Sequence, residues 1–168
     1  PGVLAFALMS SAFTSPAITT AFDRRYGVLR LMATTPLGPG GLLGGKLVGV
    51  LAVQVLQVAV VGSAGLALGW HLRWGGAPAA VAAWLLGTAA WGAAALLAAG
   101  RLRAEAVLAL ANLVLIVLAF GGVVLPASVL PAGWAGLVGW LPSGALGEAL
   151  RAALLDGTWA LRPFVVLA

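Results

Sequence analysis

Residues 41–70 read GLLGGKLVGVLAVQVLQVAVVGSAGLALGW, with Lys46 as the one charged side chain. A helix needs about 20 apolar residues to cross the hydrocarbon core of a bilayer, and this run exceeds that. The flanking sequence is built the same way. Further apolar runs cover residues 1–22, 77–100 and 106–125, and another begins at Phe164 with FVVLA. The chain of 168 residues is 62% hydrophobic and only 8% charged. An ordinary soluble domain is about 25% charged and could not hide so much apolar surface from water. The solvent for most of this chain is lipid. In lipid the backbone must satisfy its own hydrogen bonds, so the runs are helices. Their Ala, Leu and Gly content, without strand alternation, excludes a barrel. The expected fold is an all-α polytopic transmembrane bundle, one domain over 1–168, with about four spans and the start of a fifth. Because the chain opens at Pro1 and closes inside a new apolar run, we expect a segment of a longer protein.

The connectors set the topology. Residues 23–40 hold Arg24, Arg25 and Arg30, with Lys46 just inside the next span, and the tight turn RLRAE holds Arg101 and Arg103. The opposite connectors hold only Arg73, in WHLRWGG, and Arg151. Cytoplasmic loops carry the excess of Lys and Arg, so 23–40 and RLRAE are expected in the cytoplasm. Five of the seven tryptophans (Trp70, Trp74, Trp134, Trp140 and Trp159) then fall at or beyond the outer interface, where amphipathic rings are favoured. The RLRAE turn is short enough that the third and fourth spans are expected to be antiparallel neighbours.

Residues 126–159 form a long apolar outer connector broken by Pro126, Pro131 and Pro142. Proline-broken apolar backbone survives at membrane depth when other helices bury it, so a re-entrant segment is expected. After Pro142, SGALGEALRAALLDG reads as an amphipathic helix. Ser143 is its expected N-cap, Leu146, Leu150, Ala153 and Leu154 its apolar side, and Gly157 its stop.

Little in the spans can do chemistry. GGLLGGKL, residues 40–47, meets the G-x-x-x-x-G-K spacing of a phosphate loop, but Leu47 stands where a Ser or Thr must hold magnesium and no strand precedes it. Gly41, Gly45 and Gly49 are better read as a face for close helix packing, with Lys46 snorkelling to the headgroups. The one histidine, His71, lacks a second ligand nearby and there is no cysteine, so no metal site is expected. Gln54, Gln57 and Asn112 are the strongly polar residues inside the spans. Gln54 and Gln57 share a face, as interhelical hydrogen-bonding groups or as part of a substrate path. No Asp, Glu, Lys, Arg or His stands near the middle of a span. Ion-driven carriers generally need such a group, and hydrolases need a nucleophile with a base or a metal. Any uphill transport must therefore draw its energy from outside this segment, and no cofactor or nucleic-acid partner is expected. A secondary carrier and a non-transport scaffold are the competing classes.

The densest charge in the chain lies in DRRYGVLRLMATTPL, residues 23–37. Drawn as one helix over 23–36, it places Asp23, Gly27, Arg30 and Thr34 on one side and Phe22, Tyr26, Leu29 and Ala33 on another. Thr35, before Pro36, ends it. By pattern alone this is either a docking element or a basic loop that touches lipid phosphates. The stretch resembles the acidic-Arg-x-x-Gly-x-Leu-x-x-Leu-x-x-Thr-Pro-Leu signature of type 2 (ABC-2) ABC transporter permeases, matching at Asp23, Arg24, Gly27, Leu29, Thr35, Pro36 and Leu37. Arg25 and Arg30 stand where that family often has Glu. The following spans, the RLRAE turn and the proline-broken connector fit the same layout, and the composition is similar to that of drug-resistance exporters of high-GC bacteria. The resemblance implies that 23–36 is a cytoplasmic coupling helix inserted into a partner ATPase, which binds the ATP. It further implies a homo- or heterodimeric permease without a catalytic site of its own, in a bacterial plasma membrane. Drug, lipid or glycan efflux would be its work. Asp23, Arg24, Arg25, Gly27, Leu29, Arg30, Thr35 and Pro36 are the coupling residues on this reading.

Overall fold

The computed structural model describes residues 2–34, 36, 38–71, 74–118, 142–158 and 165. Among them every element is helical: α1 (Gly2–Arg25), α2 (Val28–Ala33), α3 (Gly38–Ala67), a 3-10 turn (Trp74–Gly76), α4 (Ala77–Arg101), α5 (Ala104–Leu118) and α6 (Pro142–Arg151), which runs on into a π-helical turn (Ala152–Asp156). The all-α bundle expected from composition is what forms. α1, α3 and α4 are each long and apolar enough to cross a membrane; at a rise of 1.5 Å per residue they extend about 36–45 Å. Thr35, Leu37, Arg73, Arg162, Trp134, Trp140, Trp159 and prolines 126 and 131 lie outside the described residues, as does the far end of the fourth run.

α1 is the centre of the bundle, packing against α3, α4, α5 and α6. Many of its inward positions are small: Ala5, Ala12, Ala17 and Ala21 are fully buried. They meet Ala83, Ala95 and Ala99 of α4 and Ala104 and Ala111 of α5. Lipid tails are as apolar as leucine, so helices in a bilayer associate through such close backbone approach rather than through hydrophobic burial. Larger side chains join them: Leu4, Leu8 and Met9 are buried as well, and Phe13 makes an edge-to-face pair with Trp91, centroids 5.7 Å apart. α4 and α5 make little contact with each other, because α1 packs against both. The expected side-by-side hairpin of the third and fourth spans is therefore corrected: the turn is tight, but a third helix fills the angle.

α3 lies antiparallel to α1, with Gln54 opposite Leu8 and Lys46 opposite Asp23. α4 lies parallel to α1, with Trp91 opposite Phe13 and Gly100 opposite Arg24. One end of the bundle thus gathers α2, the start of α3 and the α4–α5 turn, and with them Arg24, Arg25, Arg30, Lys46, Arg101 and Arg103. The other end holds the α3–α4 connection and α6.

α3 stops three residues sooner than its apolar run. Gly69, at φ +86°, takes the left-handed conformation, Gly69 N–H bonds Leu66 O at 3.0 Å and Trp70 N–H bonds Gly65 O at 2.9 Å. This pair of bonds closes a helix C-terminus, and the Trp70 ring folds back onto Gly65, where a Cβ would lie 2.6 Å from it. The expected glycine packing face is not used within this chain at Gly45 and Gly49. Among the described residues, no other helix comes within 4 Å of where a Cβ on Gly45 or Gly49 would be. Gln54, Gln57 and Lys46 project from a different side of α3, and their hydrogen bonds decide which face turns inward.

α6 begins at Pro142, so Ser143 is not its N-cap. Proline needs no amide partner at the first helical position and starts the helix one residue early. The Ser143 hydroxyl is left buried, with no hydrogen bond among the described residues. The apolar side is as expected: Leu146, Leu150 and Ala153 are buried. Gly157, at φ +69°, ends the π turn. Leu146 packs over Gly87, where a Cβ would lie 2.8 Å from it. Gly87 is ten residues into α4, about 15 Å from its start. The described part of the outer connector therefore dips into the bundle.

Candidate functional site

The end of the bundle that carries α2 is organised by one glycine. α1 continues to Arg25, then Gly27 takes φ +74°, in the left-handed region. Its N–H bonds Arg24 O at 3.3 Å, and its carbonyl accepts from Arg30 N–H at 3.0 Å and Leu31 N–H at 3.1 Å. Gly27 both closes α1 and opens α2. A residue with a Cβ meets its own carbonyl in this conformation, at a cost of about 1–2 kcal/mol. The single helix expected over 23–36 is thus two helices with a left-handed joint, and the helical phase is reset there.

The reset changes which side chains face outward. Tyr26 and Leu31 are 71% and 67% exposed, while Val28 and Leu29 are half-buried. Phe22 stacks on Tyr26 at 6.0 Å, and Arg25 stands 6.0 Å over the Tyr26 ring. A continuous helix would put Leu31 far around from Tyr26; the joint leaves both open. Leu31 was missed in the sequence for this reason. The left-handed preference of glycine was the one signal that could have found it. Arg30 is exposed and without an ion-pair partner among the described residues. Pro36 is exposed in the turn between α2 and α3.

The other charges of the stretch are spent within the chain. Asp23 accepts from Lys46 Nζ at 2.6 Å, and Lys46 also donates to Thr20 Oγ1 at 2.8 Å. Lys46 is thus paired with Asp23 and bonded to Thr20. Arg24 donates to Leu102 O at 2.6 Å and to Gly100 O, carbonyls at the end of α4 that have no helical partner. Arg25 pairs with Glu105 in the first turn of α5. Three consecutive residues of α1 therefore tie it to α3, α4 and α5 in turn.

Deeper in the bundle, Gln54 is fully buried. Its Nε2 donates to Leu8 O at 3.0 Å, and its Oε1 accepts from Trp84 Nε1 at 2.7 Å and Thr88 Oγ1 at 3.0 Å. One amide joins α1, α3 and α4. Gln57 Oε1 accepts from Ser11 Oγ at 3.2 Å. Asn112 is exposed on α5, with no hydrogen bond among the described residues. Residues 40–47 lie within α3, where helix formation engages the amides that a phosphate loop would need free.

Three apolar helices of spanning length, α1 at the centre with α3 and α4 against it, define a multi-pass membrane protein. The family model described as ABC-2 type transporter matches residues 1–155, and the chain belongs to that family. It is a permease component of an ABC transporter, an assembly that includes an ATPase partner. Searches of curated proteins and of solved structures returned no match.

Proposed function

We propose that this chain is the permease of a bacterial exporter, working as a dimer in the plasma membrane, and that α2 with its flanking turns is where the ATPase docks. The observation that carries this reading is the pairing of an outward-facing apolar surface with an inward-facing set of ties. Tyr26 and Leu31 stand open beside Arg30 at the α2 end of the bundle, with Phe22 stacked against Tyr26. Tyrosine and arginine are enriched among the residues that anchor protein interfaces. Behind them, Asp23, Arg24 and Arg25 reach α3, α4 and α5.

A push on α2 as the ATPases close on ATP would pass through Gly27 into α1 and, by those three side chains, into the whole cation-bearing end of the bundle. The dimer interface would then open outward, releasing a drug, lipid or glycan. The cysteine-free chain allows a direct test. With Tyr26→Asp and Leu31→Asp combined, the spans should still insert while co-purification of the ATPase is lost. Retention of the ATPase and full transport by that variant would remove the docking assignment.

A further inference from the structure

Two grooves flank Lys46 on α3. One, toward α1, is lined with hydroxyls from Ser11, Ser15 and Thr19. The other, about 400 Å³ in volume, lies between α3 and α4 with α1 as its floor. Its walls are Gly44 and Leu47 of α3 and Gly92 and Leu96 of α4, Pro16 lies beneath, and Lys46 stands among them. Apart from Lys46 and Thr88 the lining carries no polar side chain. It occupies the half of the bundle nearer α2, from the level of Leu43 and Leu96 to that of Val50 and Thr88.

We infer that this groove binds the acyl chain of an anionic phospholipid from the leaflet on the α2 side, with the headgroup phosphate held at Lys46. A groove of apolar walls between two helices matches an acyl chain in chemistry. Charge selects the headgroup. An ammonium has three donors, and Lys46 gives two of them to Asp23 and Thr20, so one remains for a phosphate oxygen. The same end of the bundle carries six Lys and Arg against Asp23 and Glu105, an excess that draws anionic lipid. The glycines keep the groove open: no atom lies within 4 Å of a Cβ at either Gly44 or Gly92. The inference depends on the fold alone and is independent of ATPase docking at α2.

The permease, purified with its ATPase, is reconstituted in vesicles of phosphatidylcholine doped with diazirine-tailed phosphatidylglycerol or, separately, diazirine-tailed phosphatidylcholine. Photolysis should label peptides of both α3 and α4 at this groove, with phosphatidylglycerol favoured. Gly44→Leu with Gly92→Leu, at positions where an added Cβ meets no neighbouring helix, puts side chains into the groove and should abolish that labelling while the ATPase stays bound. Asp23→Asn with Lys46→Gln replaces the ion pair by a neutral hydrogen-bonded one and should erase the preference between the two lipids. Labelling that ignores the leucine plug means bulk lipid contact only and overturns the site. Equal labelling by both lipids in the unaltered chain overturns the anionic assignment. A disulfide between two Leu47→Cys copies would make a second permease the occupant and overturn the lipid.

Discussion

The Asp23 carboxylate and the Lys46 ammonium meet at 2.6 Å across α1 and α3, both partly screened from solvent. A hydrogen bond between charged groups in such a place contributes about 1.5–3 kcal/mol, and losing one partner leaves the other charge unpaired near the bilayer. Lys46→Ala should therefore lower the midpoint of thermal unfolding in detergent more than Arg25→Ala, whose partner Glu105 is mostly exposed. The exchange Asp23→Lys with Lys46→Asp should recover part of the loss. Equal midpoints for the two single variants would contradict this ranking.

Gly27 owes its place to backbone conformation, since no described residue crowds it. Gly27→Val should disturb the α1–α2 joint and reduce transport. Gly27→Asn should keep more activity, because asparagine tolerates left-handed φ. Close backbone approach by the ATPase would instead make Asn and Val equally damaging, so transport assays on the two variants separate the causes.

Gln54 is the internal fastener. Replacing it with leucine removes three hydrogen bonds at once and strands the indole of Trp84 and the hydroxyl of Thr88. We expect a loss of about 1–2 kcal/mol in bundle stability. Gln57→Leu, which breaks one 3.2 Å bond, should cost less. Steric-trap or denaturant unfolding in bicelles reads both. The reverse ranking would show that Gln54 serves something other than packing.

At the opposite end, Gly76 lies so close to the Ala153 carbonyl that a Cβ could not be accommodated without movement of one backbone. Gly76→Ala should unseat the π turn and α6. A cysteine at the fully buried Ser143 should then react with a maleimide that it resists in the parent chain. Unchanged reactivity would mean that α6 is held by Leu146 and Leu150 alone.

Composition by itself determined the medium, and the medium determined the secondary structure: a chain this apolar must satisfy its backbone internally, so its runs are helices wherever they are described. The amphipathic pattern of residues 143–157 was legible for the same reason, as its leucines and Gly157 act locally. The signature over 23–37 pointed to the family, because motif and layout are properties of chain order. Which helix sits at the centre was not legible. α1, α3 and α4 each read as a membrane span, and α1, the least apolar of the three, is held at the centre by alanines in register and by one buried glutamine that bonds to it. Nor could charge alone reveal that Lys46, Arg24 and Arg25 find partners within the chain, since Asp23, Gly100, Leu102 and Glu105 come near only when three helices converge. Even the exposure of Leu31 waited on tertiary structure, because one left-handed residue at 27 rotates everything after it, and a helical wheel drawn through that residue assigns the wrong face.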